Sequence, residues 1–457
     1  MTTAPELPVE LESQIRSWRG FVQRHQVISS SDVDELEEHL REQVADLRAG
    51  GLDEDEAFLV AVKRMGSVDE ISREFAREHS DRLWKQLVLA GPSDRSGDPA
   101  ARRELVVVIG LAVAAAVAIK LPVLFGADMD DSGAFYAHNL SLFALPFLAA
   151  YLAWKRRMGW AAGLGWLAPP FLVAAVVANV YPFQANGSTE VLLAIHLPVA
   201  LWFVVGIAYT GGYWRSHTRR MDFVRFTGEW LVYFTLLAIG GGVLMGLSAA
   251  GFSAIGRDAE VVLSEWVIPC GAMGAVVVAG WLVEAKQSVV ENIAPVLTRV
   301  FTPLVTIMLL AYLVAILLTG NLVEADRELL ILADLMLVLV LGLLLYAISA
   351  RDPYAAPALF DRLQLLMIAA ALAIDVLMLA AMVGRIAEFG ASPNKVAALG
   401  LNLILLVNLA WSARLLVRSL RGRPIAALER WQTTYLPVFA AWATIVAVVF
   451  PPLFGWE

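Results

Sequence analysis

Residues 369–385, AAALAIDVLMLAAMVGR, are apolar throughout apart from one glycine, Asp375 near the middle and Arg385 at the end. The apolar run extends over 363–384, and about 20 residues at 1.5 Å per residue cross a hydrocarbon core of roughly 30 Å. The whole chain reads the same way. Of its 457 residues 58% are hydrophobic and only 17% charged, with a mean hydropathy of +0.65, far from the mix of a soluble globular protein. Ten further stretches near 104–125, 134–154, 159–181, 190–212, 229–250, 262–283, 300–319, 329–350, 396–417 and 434–452 are also long and apolar enough to span. The expected fold is therefore all-α: a small helical domain followed by a polytopic transmembrane helix bundle of about 11 spans.

Charge divides the chain. Residues 1–100 hold 12 Lys+Arg and 21 Asp+Glu, which leaves 23 basic and 22 acidic residues for the remainder. The head is acidic and the rest nearly neutral. Phosphate backbones would repel such a head, so no nucleic-acid partner is expected for it. Residues 1–30 contain no continuous apolar core of the signal-peptide kind, which predicts that the head stays in the cytoplasm. The single cysteine, Cys270, excludes an intramolecular disulfide and a cysteine-based metal cluster.

Within the head, Leu11, Ile15, Trp18 and Val22 recur at helical spacing. In SSDVDELEEHLREQVADLRAGG, Ser31 with Asp34 has the form of a capping box, Val33, Leu36, Leu40, Val44 and Leu47 make an apolar stripe, and Gly50-Gly51 ends the helix. A third helix is predicted over Leu52 to Met65, closed by Gly66, and a fourth from Ser67 with Ile71 and Phe75 inward. The domains expected are 1–90 as a cytoplasmic helical prefix, 91–103 (GPSDRSGDPAARR) as a linker rich in Gly, Pro, Ser and charge, and 104–457 as the transmembrane bundle.

The order of DVDELEEHLREQ and GLDEDEAFLVAVKRMGSVDEISREF resembles the permease prefix domain, a helical signalling module found beside PadR-type regulators and in front of bacterial membrane proteins. The resemblance covers about residues 8–80 and implies binding of a cytoplasmic regulatory protein, not catalysis. A second likeness lies further on. GRIAEFGASPNKVAALGLNLILLVNLAWSARLL and WQTTYLPVFAAWATIVAVVFPPLFGW look like segments of a bacterial polytopic membrane family of unknown function, over about residues 220–457. Ala391 and Lys395 depart there from the branched residue and arginine common in that family.

Loop charge orients the bundle. With the head inside, the inner loops hold eighteen Lys/Arg, from Arg102 to Arg430, and the outer loops four, Arg257, Arg327, Arg385 and Lys395. This predicts a multi-pass protein of the bacterial inner membrane with a cytoplasmic N-terminus and its C-terminal Trp456 outside.

No His-Glu-x-x-His, Gly-x-Ser-x-Gly or phosphate-binding glycine loop occurs, so neither an enzyme nor a cofactor or metal site is expected. Gly242-x-x-x-Gly246 reads as a close helix–helix approach. The informative residues are the polar ones inside spans. A carboxylate at mid-membrane costs about 2.5–3.5 kcal/mol on insertion scales, so it is usually paired, protonated or functional. Asp375, Asp334, His196, Asn402, Asn408, Lys120 and Arg385 form the candidate intramembrane polar site. Most fall in the predicted outer half, which suggests a cavity open to the outside with Asp375 at its floor. Asp375 has no counter-ion one helical turn away, where Ala371, Leu372, Met378 and Leu379 stand. The function expected is a membrane sensor or regulatory protein. The alternative is a secondary permease that couples an unidentified proton, cation or small solute to the carboxylate.

Overall fold

The computed structural model describes residues 11–12, 14–16, 18–19, 30–65, 99–127, 132–257, 259–285, 293–319, 327–351 and 358–457. Every regular element among them is helical, and the chain divides into two compact units, Met1–Arg102 and Arg103–Glu457.

The first unit contains α1 (Ser30–Ala49) and α2 (Glu54–Met65). Leu11, Ile15, Trp18, Leu40, Val44, Ala57, Phe58, Ala61 and Val62 are all buried in one cluster. Leu11, Ile15, Trp18, Leu40 and Val44 are positions that the helical period selects in the first two segments, and Leu47 packs partly buried against them. The helix start differs from expectation: α1 begins at Ser30, so Ser31 lies inside it. The turn after α1 uses Gly51 at φ +95°, a conformation that favours glycine. Asp53 then caps α2 by accepting the Glu56 N–H at 2.8 Å, which trims the predicted third helix to Glu54. Val22, Gly66 and the predicted fourth helix lie outside the described residues.

An ion network crosses this unit. Arg41 donates to both oxygens of Glu12 at 2.8 and 2.6 Å and to Glu37 at 3.0 and 2.8 Å, and Arg19 also pairs with Glu37. The hydrogen bond from Arg41 holds the Glu12 carboxyl below its ordinary value. Burial alone would push Glu37 upward, but Arg19 and Arg41 together outweigh it and lower this group too. A carboxyl depressed on folding adds stability that is complete above its unfolded value, near pH 4.5, and is lost as pH falls through the folded one. Residues 1–90 expressed alone are expected to be helical by circular dichroism at neutral pH, with a thermal midpoint that falls below about pH 4. A random-coil spectrum, or a midpoint flat down to about pH 3, would contradict this.

The second unit comprises α3 (Pro99–Ala118), α4 (Gly133–Lys155), α5 (Trp160–Val180), α6 (Ser188–Tyr209), α7 (His217–Ala254), α8 (Ile268–Ala285), α9 (Ile293–Thr319), α10 (Arg327–Ser349), α11 (Leu359–Phe389), α12 (Pro393–Leu420), α13 (Ala426–Val448) and the short α14 (Phe450–Leu453). A π-helical segment, Val262–Val267, leads into α8. Ten helices among the described residues are long and apolar enough to cross a membrane, and the whole is a polytopic helical bundle. The predicted linker ends earlier than expected, because residues 99–103 already form the first turn of α3, with Pro99 at its start.

The eleventh predicted span, 434–452, is realised as α13, which starts at Ala426. It falls outside the ten because its first turns carry Glu429, Arg430, Gln432 and Thr433. Its contacts nevertheless carry it across the same thickness. At one end the Thr433 carbonyl accepts from Arg220 at 2.9 Å, and beyond the other end Phe450 packs with Leu192 and Ala397 at the starts of α6 and α12. We call the first end, which holds residues 156–159, 210–216 and 421–425, the basic face.

Two cores fill the bundle. One is built from α3, α4, α5, α6 and α8, the other from α9, α10, α11 and α12, and α13 adds Ala447 to the first and Leu428 and Leu436 to the second. Helix α7 joins them: Phe223 and Phe226 enter the first core, Met221 and Val224 the second. This explains why α7 begins twelve residues before the predicted span at 229. The segment 217–228 is too polar to read as membrane-spanning, but its apolar positions are buried on two sides, and Ser216 caps it by accepting the Arg219 N–H at 3.4 Å.

The glycines of α7 correct another expectation. A Cβ added at Gly242 or Gly246 would meet nothing within 4 Å, so this pair brings no helix close. Both line an apolar cavity of about 1100 Å³ between α7 and α8. Close approach occurs elsewhere, at Gly228 against the Tyr346 ring and at Gly400 against the Trp442 ring.

Candidate functional site

Three of the seven candidate residues converge in the second core. Asp375 sits at the midpoint of α11 and is 0% exposed. Asp334, in the second turn of α10, acts on it electrostatically, and Asn402 of α12 lies beside Asp334. Tyr312 of α9 is within electrostatic range of Asp334. Every pair of these four helices is packed together except α9 with α12, so one locus receives polar groups from all of them.

Both oxygens of Asp375 and Oδ1 of Asp334 are buried without a hydrogen-bond partner, while the Asn402 amide is set against the Asp334 carboxylate. An unsatisfied buried polar group costs about 1–3 kcal/mol. The nearest charged neighbour of Asp375 is a second acid, which adds repulsion instead of relief. With Asp375 fully buried and Asp334 half-buried, two charged carboxylates here would repel, and uptake of a proton or a cation would relieve the repulsion. Asn402 supplies an amide oxygen as a further ligand for a cation, or an N–H donor for a carboxylate. Among the described residues no cluster of three or more His, Cys, Asp or Glu could hold a metal ion. Oxygen ligands alone suit a proton or a small hard cation better than a soft transition metal.

The local sequence explains this placement. Helix α11 is 31 residues long, and Met367, Ile368, Ala371, Ile374 and Met378 bury the same face as Asp375. The carboxylate is thus held by the packing of its own helix. The start of α11 is fixed separately, by Asp361, which accepts the Ala358 N–H at 2.7 Å and pairs with Arg351.

The other four candidates lie elsewhere. Asn408 belongs to a satisfied network with α13: it donates to Gln432 Oε1 at 3.1 Å, and Gln432 donates to Ser412 Oγ at 2.7 Å. His196 bonds the Leu192 carbonyl of its own helix at 2.9 Å. Lys120 stands over the Trp266 ring at 4.6 Å. Arg385 is ten residues beyond Asp375 on α11, a rise of about 15 Å. The expected cavity with Asp375 at its floor is also corrected. Asp375 is fully buried, and the cavities beside α7 are lined by other residues. The outer-half grouping of polar residues reflects several separate contacts, because sequence depth carries no information about which face of a helix a residue occupies.

One buried pair escaped the sequence reading. His138 Nε2 lies 3.3 Å from Glu190 Oε1, both largely buried, with the Phe183 ring 5.2 Å from the imidazole. His138 stands one turn into a span and Glu190 opens another. A titratable residue at each of two span starts on the same side was the available signal.

Comparisons of the chain with protein-family models, with curated proteins and with solved structures give no match.

Proposed function

We propose that the chain is a bacterial inner-membrane sensor or regulatory protein that binds a proton or small monovalent cation at Asp334, Asp375 and Asn402, and whose acidic head engages a cytoplasmic regulatory protein. The observation that carries the first part is the fully buried Asp375 carboxylate, which has no hydrogen-bond partner and has the half-buried Asp334 carboxylate as a charged neighbour. The second part rests on the likeness of the head to the permease prefix domain and on its acidity. A role without catalysis accords with the motifs of the sequence.

The test uses the full chain in liposomes, with tryptophan fluorescence followed against pH and against Na⁺, K⁺ and Li⁺, and with ion and proton flux measured in parallel. A saturable, reversible response without flux supports the sensor. Flux that depends on Asp375 moves the same site to a permease. No response and no flux would remove the site.

The orientation proposed has the N-terminus in the cytoplasm. Reporters active only in the cytoplasm are expected to work when fused after Gly212 or Arg423, and reporters active only outside after Gly187 or Ala391. Cytoplasmic activity after Gly187 would reverse the assignment.

A further inference from the structure

Between α12 and α13, beside the basic face, a groove of about 490 Å³ opens on the flank of the bundle. Leu415, Ala426 and Ala427 give it an apolar floor, and the Trp411 and Trp431 rings, 5.7 Å apart, form its wall. The Trp431 indole is fixed there, because its Nε1 donates to the Asn408 carbonyl of α12 at 3.3 Å. Arg430 is the charged residue of the lining. Arg414 adds a second cation at the rim, where its guanidinium lies 4.7 Å over the Trp411 ring.

The local sequence makes this end of the groove cationic. From Trp411 to Val438 the chain carries five arginines, at 414, 418, 421, 423 and 430, against one acid, Glu429. Glu429 is the immediate neighbour of Arg430, and adjacent positions on a helix do not face each other. All five arginines are exposed, and among the described residues none of them is ion-paired with a carboxylate. Further from the basic face the character changes. Leu403 and Val407, two turns and one turn before Trp411 on α12, are exposed and apolar, as is Val438 on α13. The groove thus has guanidiniums at the bilayer surface and an apolar track leading away into the hydrocarbon depth. A soluble anion would use the first feature alone, and an uncharged lipid the second alone. An amphiphile with an anionic head uses both, and the planar guanidinium fork suits a phosphate.

We propose that this groove binds an anionic phospholipid, with its phosphate on Arg430 and Arg414 and an acyl chain against Trp411 and Trp431 and along Leu403, Val407 and Val438. Basic pockets between membrane helices recognise lipid headgroups in this way, and interfacial tryptophans match the boundary between head and chain. The site is separate from the Asp375 locus and does not rest on it, nor on which membrane face is cytoplasmic.

The full chain is placed in nanodiscs of phosphatidylglycerol and phosphatidylethanolamine in equal parts, and the lipid it keeps on release is read by native mass spectrometry. Phosphatidylglycerol is expected to be kept well above its share of the bilayer. Arg430→Gln and Arg414→Gln should each lower that enrichment about fivefold, the effect of one cation beside an anionic headgroup. Arg430→Lys, which preserves the charge, should keep most of it. Neither guanidinium holds a carbonyl or carboxylate among the described residues, so the variants are expected to melt as the parent does. Arg362→Gln, an exposed arginine in the first turn of α11, is the control and should change nothing. In detergent, inorganic phosphate alone is expected to give no saturable calorimetric binding, because it has no apolar part. Retention of both lipids in bilayer proportion, or an equal loss in Arg362→Gln, would overturn the proposal. Saturable phosphate binding that Arg430→Gln removes would also overturn it, by assigning a soluble anion.

Discussion

Asp375→Asn is expected to leave the protein folded in the membrane and to abolish the pH- and cation-dependent fluorescence response of the parent. Asparagine nearly matches a protonated aspartate in size and polarity but neither titrates nor carries charge. With one carboxylate gone, Asp334 no longer has a like-charged neighbour, and the joint titration that belongs to the pair ceases to exist. Asp334→Asn should have the same consequence from the other side. Asp375→Leu should differ: it removes the charge but also the polar group that Asp334 and Asn402 face, so lower thermal stability is expected alongside the lost response. If Asp375→Asn and the parent respond identically across about pH 5 to 8, the carboxylate is a packing group and the ion-binding reading fails.

Gly400→Val is expected to cost stability heavily, with a melting temperature several degrees below the parent. A Cβ at Gly400 would stand 2.1 and 2.2 Å from two ring carbons of Trp442, which no rigid packing allows. Either α12 and α13 separate or the indole leaves its rotamer, and overpacking of this kind costs about 1–3 kcal/mol, occasionally more. Gly242→Ala is the control. Nothing lies within 4 Å of its added Cβ, and alanine is the better helix former by about 1 kcal/mol, so this change should be neutral or stabilising. A reversed order of the two melting temperatures would show that the glycine-spaced motif on α7, and not Gly400, is the true contact.

That contrast also shows what the sequence could convey. Length and hydropathy sufficed for α3 to α6 and α8 to α12, because a continuous apolar run has one stable outcome in lipid. They failed at the ends of α7 and α13, where Met221, Phe226 and Leu428 are buried beside charged or amide neighbours that lower the local average. The same averaging hid the charged cleft lined by Arg219, Asp222, Arg225 and Glu229, which begins before the predicted span. At the candidate site, the chemistry of Asp375 was visible, as was the absence of a counter-ion on its own helix. Its companions were not. Asp334 and Asn402 are 41 residues before it and 27 after it in the chain, and only the mutual rotation of α10, α11 and α12 separates them from Asn408 and His196, which looked equally promising at similar depth. The opposite error occurred at Gly242 and Gly246, where spacing alone suggested a contact that no helix makes.

Helix α13 has a consequence for how the chain is made. It is the last crossing helix in this sequence, yet it places Ala447 in the first core, Leu428 and Leu436 in the second, and Gln432 and Thr433 against α12 and α7. During synthesis, neither half can close when its own helices have emerged from the ribosome. Each core lacks part of its packing until residues 426–450 are in place. A stop between α12 and α13 would thus leave two unfinished cores instead of one finished and one missing, and such a product is expected to be degraded faster than the full chain.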